Sequence, residues 1–568
     1  MRCNSLFSSV ALTSFMLAGI APVAEAASTE DSEIRLLRAE MSQMRRDMQQ
    51  QIVTLKHQLA KSDAPTKGHM GQAAGHGRNA MHVADGNYDP NVQFGEQEPM
   101  KKIAPLSGVG TPPSDRGDTM SWKDFKAATA QDEEVRVGGM IVGFPKGRFT
   151  VSSEDGAYGF SVGLSFHEDF GGFLGGGHRS GNTSGEFSGF TENARRIRIP
   201  FTFRYKDWVA NVTPDLGAGG PDGDTTDQGL YEANLNYTGL RNTILTVGYF
   251  QPRVTEEDSE SSNDFEMMER PAITDAVRKI AAGDARFSFG GLHYEKRWWI
   301  ASYFTGQTYG DRKGNSTAAS SYGSNVNSQT GATFRVAGRP YMSKDIDVHV
   351  GISAISAFKV AEMCSTTANT TNCARMYKPG QSPEVNLTST NLISATIGNA
   401  SSIWSAGPEL GFRWKKMVLK GEYYNIGVNR GNNTNGVPAG ESQYKTVHLQ
   451  GYYGSANYTL FGKGREYNIK EGAFGAPGVE HEFDPSRGYW GALEVTGRYS
   501  VTDFSDVAAG VNGGRQIVWS GGVNWYPNRH FRFMLDFNHF IVSQNSSTTY
   551  NAVGRDGNSF AARVQAAF

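Results

Sequence analysis

The stretch "RRIRIPFTFRYKDW", Arg195 to Trp208, sets arginine against large apolar residues at a spacing of two. Ile197, Ile199, Phe201, Phe203 and Tyr205 fall on one side of an extended chain, and Arg196, Arg198, Thr202 and Arg204 on the other. Successive side chains of a strand point to opposite faces, so the pattern predicts one strand with an oily face and a cationic face. A half-buried strand of a soluble sheet reads the same way, and the decision falls to the rest of the chain.

Four later segments repeat the alternation. In "FRFMLDFN", Phe531, Phe533, Leu535 and Phe537 oppose Arg532, Asp536 and Asn538. In "QIVWSGGVNWY", Ile517, Trp519, Val523 and Trp525 oppose Gln516, Ser520 and Asn524. "ALEVTGRYSV" sets Leu493, Val495, Tyr499 and Val501 against Glu494, Thr496, Arg498 and Ser500, and "SFAARVQAAF" ends the chain with Arg563 and Gln565 opposite Phe560, Val564 and Phe568. From about Val135 onward short alternating segments are separated by turn residues, and no apolar run is long enough for a membrane helix.

The amino terminus sets the compartment. Arg2 precedes an apolar run from Leu6 to Ile20, and Ala24-Glu25-Ala26 is a small-residue cleavage site, so residues 1–26 read as a secretory signal peptide. Export leaves Cys364 and Cys373, which predict a disulfide in an oxidising compartment; a metal or redox site is the competing reading, but neither cysteine lies in a CxxC or near a histidine. Residues 31–62 carry Ile34, Leu37, Met41, Met44, Met48 and Leu55 at a/d spacing. They predict a short coiled coil of two or three strands, with a single amphipathic helix as the alternative. Residues 63–134 read as a flexible spacer; His69, Met70, His76, Met81 and His82 are suitable soft-metal ligands but match no defined spacing, so no metal or cofactor is assigned. A net charge of -2 gives no case for nucleic-acid binding.

For residues 135–568 the choice lies between a very large soluble sandwich and an outer-membrane barrel. An exported chain with alternating strands, aromatic residues near segment ends, and short turns alternating with long Gly/Asn/Ser loops fits the barrel, with lipid against its oily face. Soluble domains also rarely exceed ~250 residues around one core. If the apolar face is outward throughout, Arg196, Arg198, Arg204, Arg413, Lys420, Arg498, Arg532 and Arg563 point inward, against Glu422, Glu494 and Asp536. That excess of cations favours anions in a lumen, or else the charges merely keep a wet interior solvated.

"ARRIRIPFTFRYKDW", "LYEANLNYTGL" with "TVGYFQP", "SSNDFEMMERP", "LQGYYGSANYTLFGKGREY" and "GGVNWYPN" together resemble the phosphate-selective porin O/P family, over about Val151 to Phe568. The resemblance implies a trimer of antiparallel barrels of about sixteen strands in the outer membrane, with loops folded inward to a ring of cations. An amino-terminal coiled coil resembles that of related dicarboxylate-type porins, where it stands in the periplasm. Carried over by position, the family's arginine pair is Arg195 and Arg196, its loop arginine is Arg270, and its two serines are Ser261 and Ser262. Where the family places cations, this chain has Ser165, Val209 and Asp258, and Glu256, Glu257, Asp258 and Glu260 form an acidic run beside the expected constriction. That run either alters selectivity or lies on a solvated, screened loop. Period two allows only one of Arg195 and Arg196 to point inward from a regular strand, so Arg195 is expected at a loop junction.

The implied function is passive diffusion of small anionic or polar solutes, with anion preference through Arg195, Arg196, Arg198, Arg204 and Arg270. The alternatives are a sugar- or cation-permeable channel, and an envelope tether acting on the cell wall through the coiled coil. No nucleophile elbow or HExxH is present, and His293, His448 and His539 have no catalytic partner at a motif spacing, so an enzyme is not expected.

Overall fold

The computed structural model describes residues 111–129, 135–174, 189–217, 229–309, 324–325, 329–367, 370–388, 391–431, 445–545 and 555–568. The expected signal peptide, the coiled coil and the His/Met run lie outside the described residues.

The decisive stretch forms strand, but in two pieces. After a helix α1 (Trp122–Thr129), the long strands begin with β1 (Tyr158–Val162) and β2 (Ser165–Leu174), followed by β3 (Gly189–Arg198) and β4 (Phe201–Tyr205). Pro200 lacks an N–H and its carbonyl accepts from Gly163 N at 2.9 Å, so both long strands break at the same level. The two-residue interruption preserves parity: Arg196, Arg198, Thr202 and Arg204 are buried, while Phe203 and Tyr205 are about half exposed at 50% and 48%.

Antiparallel strands then follow in sequence: β5 (Trp208–Thr213), β6 (Glu232–Leu240), β7 (Thr243–Phe250), β8 (Arg286–Tyr294), β9 (Trp298–Thr308), β10 (Thr330–Met342), β11 (Ile346–Lys359), β12 (Ala400–Trp414), β13 (Met417–Arg430), β14 (Val447–Phe461), β15 (Ala492–Asp506), β16 (Val511–Tyr526), β17 (Phe531–Asn545) and β18 (Arg555–Ala567). Each pairs with its sequence neighbour in one large sheet. Tight connections use left-handed residues, Lys206, Asn242 and Lys415, which lets the hairpin twist match that of its strands. The last strand, β18, pairs with β17 on one side and with β2 on the other, in the register Arg563↔Asp169 and Ala562↔Phe170. Phe568 exchanges backbone hydrogen bonds with Leu164 at 2.8 and 3.0 Å, so the carboxyl-terminal aromatic is fixed in this seam.

Burial alternates along β14 with period two, and the outward residues include Tyr452, Tyr458 and Leu460. The expectation that every apolar residue faces outward fails toward one end of the strands. Tyr424, Ile426, Val428, Val447 and Leu449 are buried on the inner face and pack with Ile273, Val277 and Ile280 of helix α3 (Ala272–Ala281). That helix belongs to the segment joining β7 to β8, and the apolar patch holds the segment inside. α3 starts directly after Pro271, where a missing N–H costs no helical bond.

Gly171 faces Ala561 across the β2–β18 seam, and a Cβ there would lie 2.1 Å from the Phe560 carbonyl oxygen. Gly171→Val is expected to destabilise the fold by about 1–3 kcal/mol, read as a lower thermal midpoint of the detergent-solubilised protein. An unchanged midpoint would mean that the seam has slack.

Candidate functional site: the charged interior around the inward segment

Arg195 and Arg196 reach the interior together by a device the sequence reading did not foresee. Arg196 pairs with His167, but the next pair is Ala194 with Glu168, so Arg195 is the extra residue of a β-bulge rather than part of a loop junction. Freed from alternation, Arg195 donates to Glu269 Oε1 at 2.7 Å and Oε2 at 3.1 Å. Arg198 meets Asp115 at 2.5 Å, Asp215 at 2.7 Å and Asp284 at 3.5 Å, and its guanidinium lies 3.5 Å from the centre of the Tyr231 ring. Arg204 is turned to other work, donating to the carbonyls of Met120 and Lys206 and stacking 4.6 Å over Phe125. Arg196 differs from all of these. It is 2% exposed, its Nε has no hydrogen-bond partner, its Nη1 lies 3.3 Å from His167 Nδ1, and among the described residues no carboxylate forms an ion pair with it.

The segment between β7 and β8 supplies many of the counter-charges. Its first turn is helix α2 (Glu256–Ser259), capped by Thr255, whose hydroxyl accepts from Asp258 N. Glu256, Glu257, Asp258 and Glu260 are all buried, so the expectation of a solvated, screened loop is corrected. Lys420 Nζ of β13 sits among three of them, 2.6 Å from Glu257, 2.6 Å from Glu260 and 3.3 Å from Glu256. These carboxylates converge within 4.8 Å of one another, a spacing a cation could use, but the ammonium already stands there. Asp258 is paired with Arg278 at 2.7 Å and Arg270 at 3.5 Å, so it does not leave a free negative charge. Arg270 also lies 4.4 Å over the Phe265 ring. Burial raises both the Glu257 and Glu260 carboxyls; Lys420 overcomes this at Glu257, which is lowered, but not at Glu260, which is held well above the usual range.

Ser261 and Ser262 do converge on an anion, and it is the chain's own. The carboxylate of Asp115 accepts from Ser261 Oγ at 2.8 Å, from Ser262 Oγ at 2.5 Å and from Arg198 at 2.5 Å. Burial would raise this carboxyl, but Arg198, Arg116 and Ser262 hold it well below the usual range. The segment before β1 was expected to be a free spacer to residue 134; its residues 115–118 are instead buried or half-buried against the inner face.

Further charge pairs had no signal in the sequence because their partners are far apart along the chain. Arg563 binds Asp169 and Glu269; Arg465, in the connection between β14 and β15, binds Glu494; Arg335 binds Glu409; and Glu384, from the connection between β11 and β12, binds Arg498. Cys364 stands opposite Cys373 across a small hairpin, and Cys373 is disulfide-bonded.

Residues 160–568 match the model of the phosphate-selective porin O and P family. The chain belongs to this family. Its members are passive outer-membrane channels, not enzymes. Porin O of Pseudomonas aeruginosa is 24% identical over 463 residues, which cover 76% of this chain and 93% of that one. Among solved structures, OmpT of Vibrio cholerae is 10% identical with a TM-score of 0.40, covering 72% of this chain and 98% of its own. The anion-selective porin from Comamonas acidovorans is 8% identical with a TM-score of 0.40, covering 72% of this chain and all of its own.

In this porin Asp264, on the inward segment, is pushed up to about 7 by burial, against the pull of Arg465 and Arg532. A carboxyl whose folded value exceeds its unfolded value loses stability as pH rises from the unfolded value through the folded one. Stability is therefore expected to fall from pH 4 to pH 7 by an amount on the order of 4 kcal/mol from this group. Comparing thermal midpoints across that window for the native chain and Asp264→Asn checks it: the variant should lose that component of the slope.

Proposed function

We propose that this porin is a passive channel with a preference for small anions, carried by Arg195, Arg196, Arg198 and Arg270 around the inward segment. The observation that carries the reading is Arg196, a buried guanidinium without a carboxylate partner among the described residues. A desolvated charge is costly unless paired, so the position draws an anion from solution, and fixed guanidinium groups replace part of its hydration. Ser261 and Ser262 add neutral donors beside Arg198, where with it they hold the Asp115 carboxylate.

The strand pairings support a closed barrel of sixteen strands. Counting β1 with β2 and β3 with β4 as two broken long strands, and adding β5 to β18, gives that number, and the β2–β18 ladder joins the ends. The family resemblance supports a homotrimer in outer-membrane lipid with Asp31–Ser62 in the periplasm as an assembly coiled coil. Phosphate-like or organic anions are the solutes that the cation pattern favours.

Reversal potentials in planar bilayers under a potassium chloride gradient test the anion reading. The native channel should prefer chloride, and Arg196→Gln should reduce the chloride-to-potassium permeability ratio about threefold, equivalent to ~0.6 kcal/mol. Cation preference in the native channel would refute the reading. Deleting Asp31–Ser62 should reduce trimers on unheated gels while leaving single-channel conductance unchanged; loss of envelope integrity with trimers intact would favour a tethering role instead.

A further inference from the structure

We propose that the Asp115 carboxylate is a tethered ligand of the channel's oxyanion subsite, so that solute oxyanions pass by displacing the chain's own segment. The proposal rests on the anion reading above and adds the occupant of the site and the way it is regulated.

The geometry points to a seat built for this segment rather than a chance contact. Asp115 is fully buried and uses both carboxylate oxygens, Oδ1 on Ser261 and Oδ2 on Ser262 and Arg198. These are hydroxyl and guanidinium donors, the groups that would hold a carboxylate or phosphate arriving from outside. The adjacent Arg116 locks the segment to the same loop: it donates to the carbonyls of Asp258, Ser259 and Glu260 at 3.2, 3.3 and 3.4 Å and to the Tyr231 hydroxyl at 3.1 Å, and it pairs with Glu471 at 3.2 Å. On the other flank Asn263 Nδ2 donates to the Pro113 carbonyl at 2.7 Å, and Gly117 N donates to Glu232 at 2.6 Å. Gly117 passes so close to the wall that a Cβ would lie 2.1 Å from Asn211 Cγ. The family match starts at residue 160, so Arg198, Ser261 and Ser262 lie within it and the ligand comes from a part of this chain outside it.

A tethered ligand competes with free solute as an effective concentration, and the apparent affinity of the solute falls by the fraction of time the site is free. Removing the tether therefore has a defined sign: it raises conductance and tightens oxyanion block.

The test uses the full chain in planar bilayers, with inorganic phosphate and succinate as separate probes. Asp115→Ala removes the tethered anion, and Gly117→Val unseats the segment while keeping every barrel donor. Both variants should conduct more than the native channel, and the half-blocking concentration of at least one probe should fall on the order of tenfold. Block by phosphate alone would assign the seat to tetrahedral oxyanions, and block by succinate alone to carboxylates. Native conductance and native block in both variants, in a channel that is still anion-selective, would overturn the tethered ligand and leave the anion reading standing. Higher conductance with no anion preference and no oxyanion block would overturn the oxyanion subsite and reduce the segment to a steric plug. Should Asp115→Ala fail to assemble, Gly117→Val carries the same readout alone.

Discussion

Everything inside this protein follows from one constraint: a strand wall that presents arginine and lysine inward must find anions for them in a confined, poorly hydrated space. Leaving one partner of a buried ion pair unpaired costs about 3–5 kcal/mol, far more than a surface charge does. The wall satisfies itself only in part, as Arg563 does with the opposite Asp169, because directly opposite residues on neighbouring strands are few and fixed. Connections therefore fold inward carrying acids. Lys420 takes its carboxylates from residues 256–260, Arg498 takes Glu384, and Arg335 of the wall reaches Glu409, Ser259 and the carbonyls of Glu471 and Gly472 together. One guanidinium thus joins two strands and two inward connections.

Apolar packing decides where the main inward segment stops. The hydrophobic face of α3 meets a patch of inward-facing wall residues that carries no charge, and burial there needs no counter-ion. With the helix fixed on that patch, the short α2 turn is delivered to Lys420 and the two serines to Arg198. Position comes from the oily end of the wall, and chemistry from the charged middle.

The barrel wall was legible in the sequence because alternation is local: any window of eight residues reports its own facing. The same locality explains the errors. Arg195 breaks parity through a bulge whose other half, His167 and Glu168, lies nearly thirty residues earlier, so the doublet alone read as a loop junction. The acidic run read as an exposed loop or a reversed pore charge, since nothing near Glu257 announces Lys420, 163 residues onward. Inward apolar residues such as Ile426 and Val428 were misread for a different reason: they alternate with Asn425, Gly427 and Asn429, so the rule that the apolar face lies outward puts them on the wrong side. The spacer composition of residues 63–134 concealed a segment whose side chains are polar because its surroundings are.

The same pairing alters how pore charge should be counted. A lysine replaced by aspartate changes the formal charge by two units, and at ~4 Å with an effective dielectric near 20 each unit is worth about 4 kcal/mol. That sum holds only for isolated charges. Asp258 stands 2.7 Å from Arg278 and 3.5 Å from Arg270, so a passing ion meets a compact set of opposite charges whose fields largely cancel over a few ångströms. The acids on Lys420 are compensated in the same way, by an ammonium 2.6 Å from both Glu257 and Glu260. What a solute senses is the residue of incomplete cancellation, and Arg196, 2% exposed and without a carboxylate in ion-pair contact among the described residues, contributes a positive part of it. Selectivity in such a wall is set less by the number of basic residues than by which of them the protein leaves without a partner.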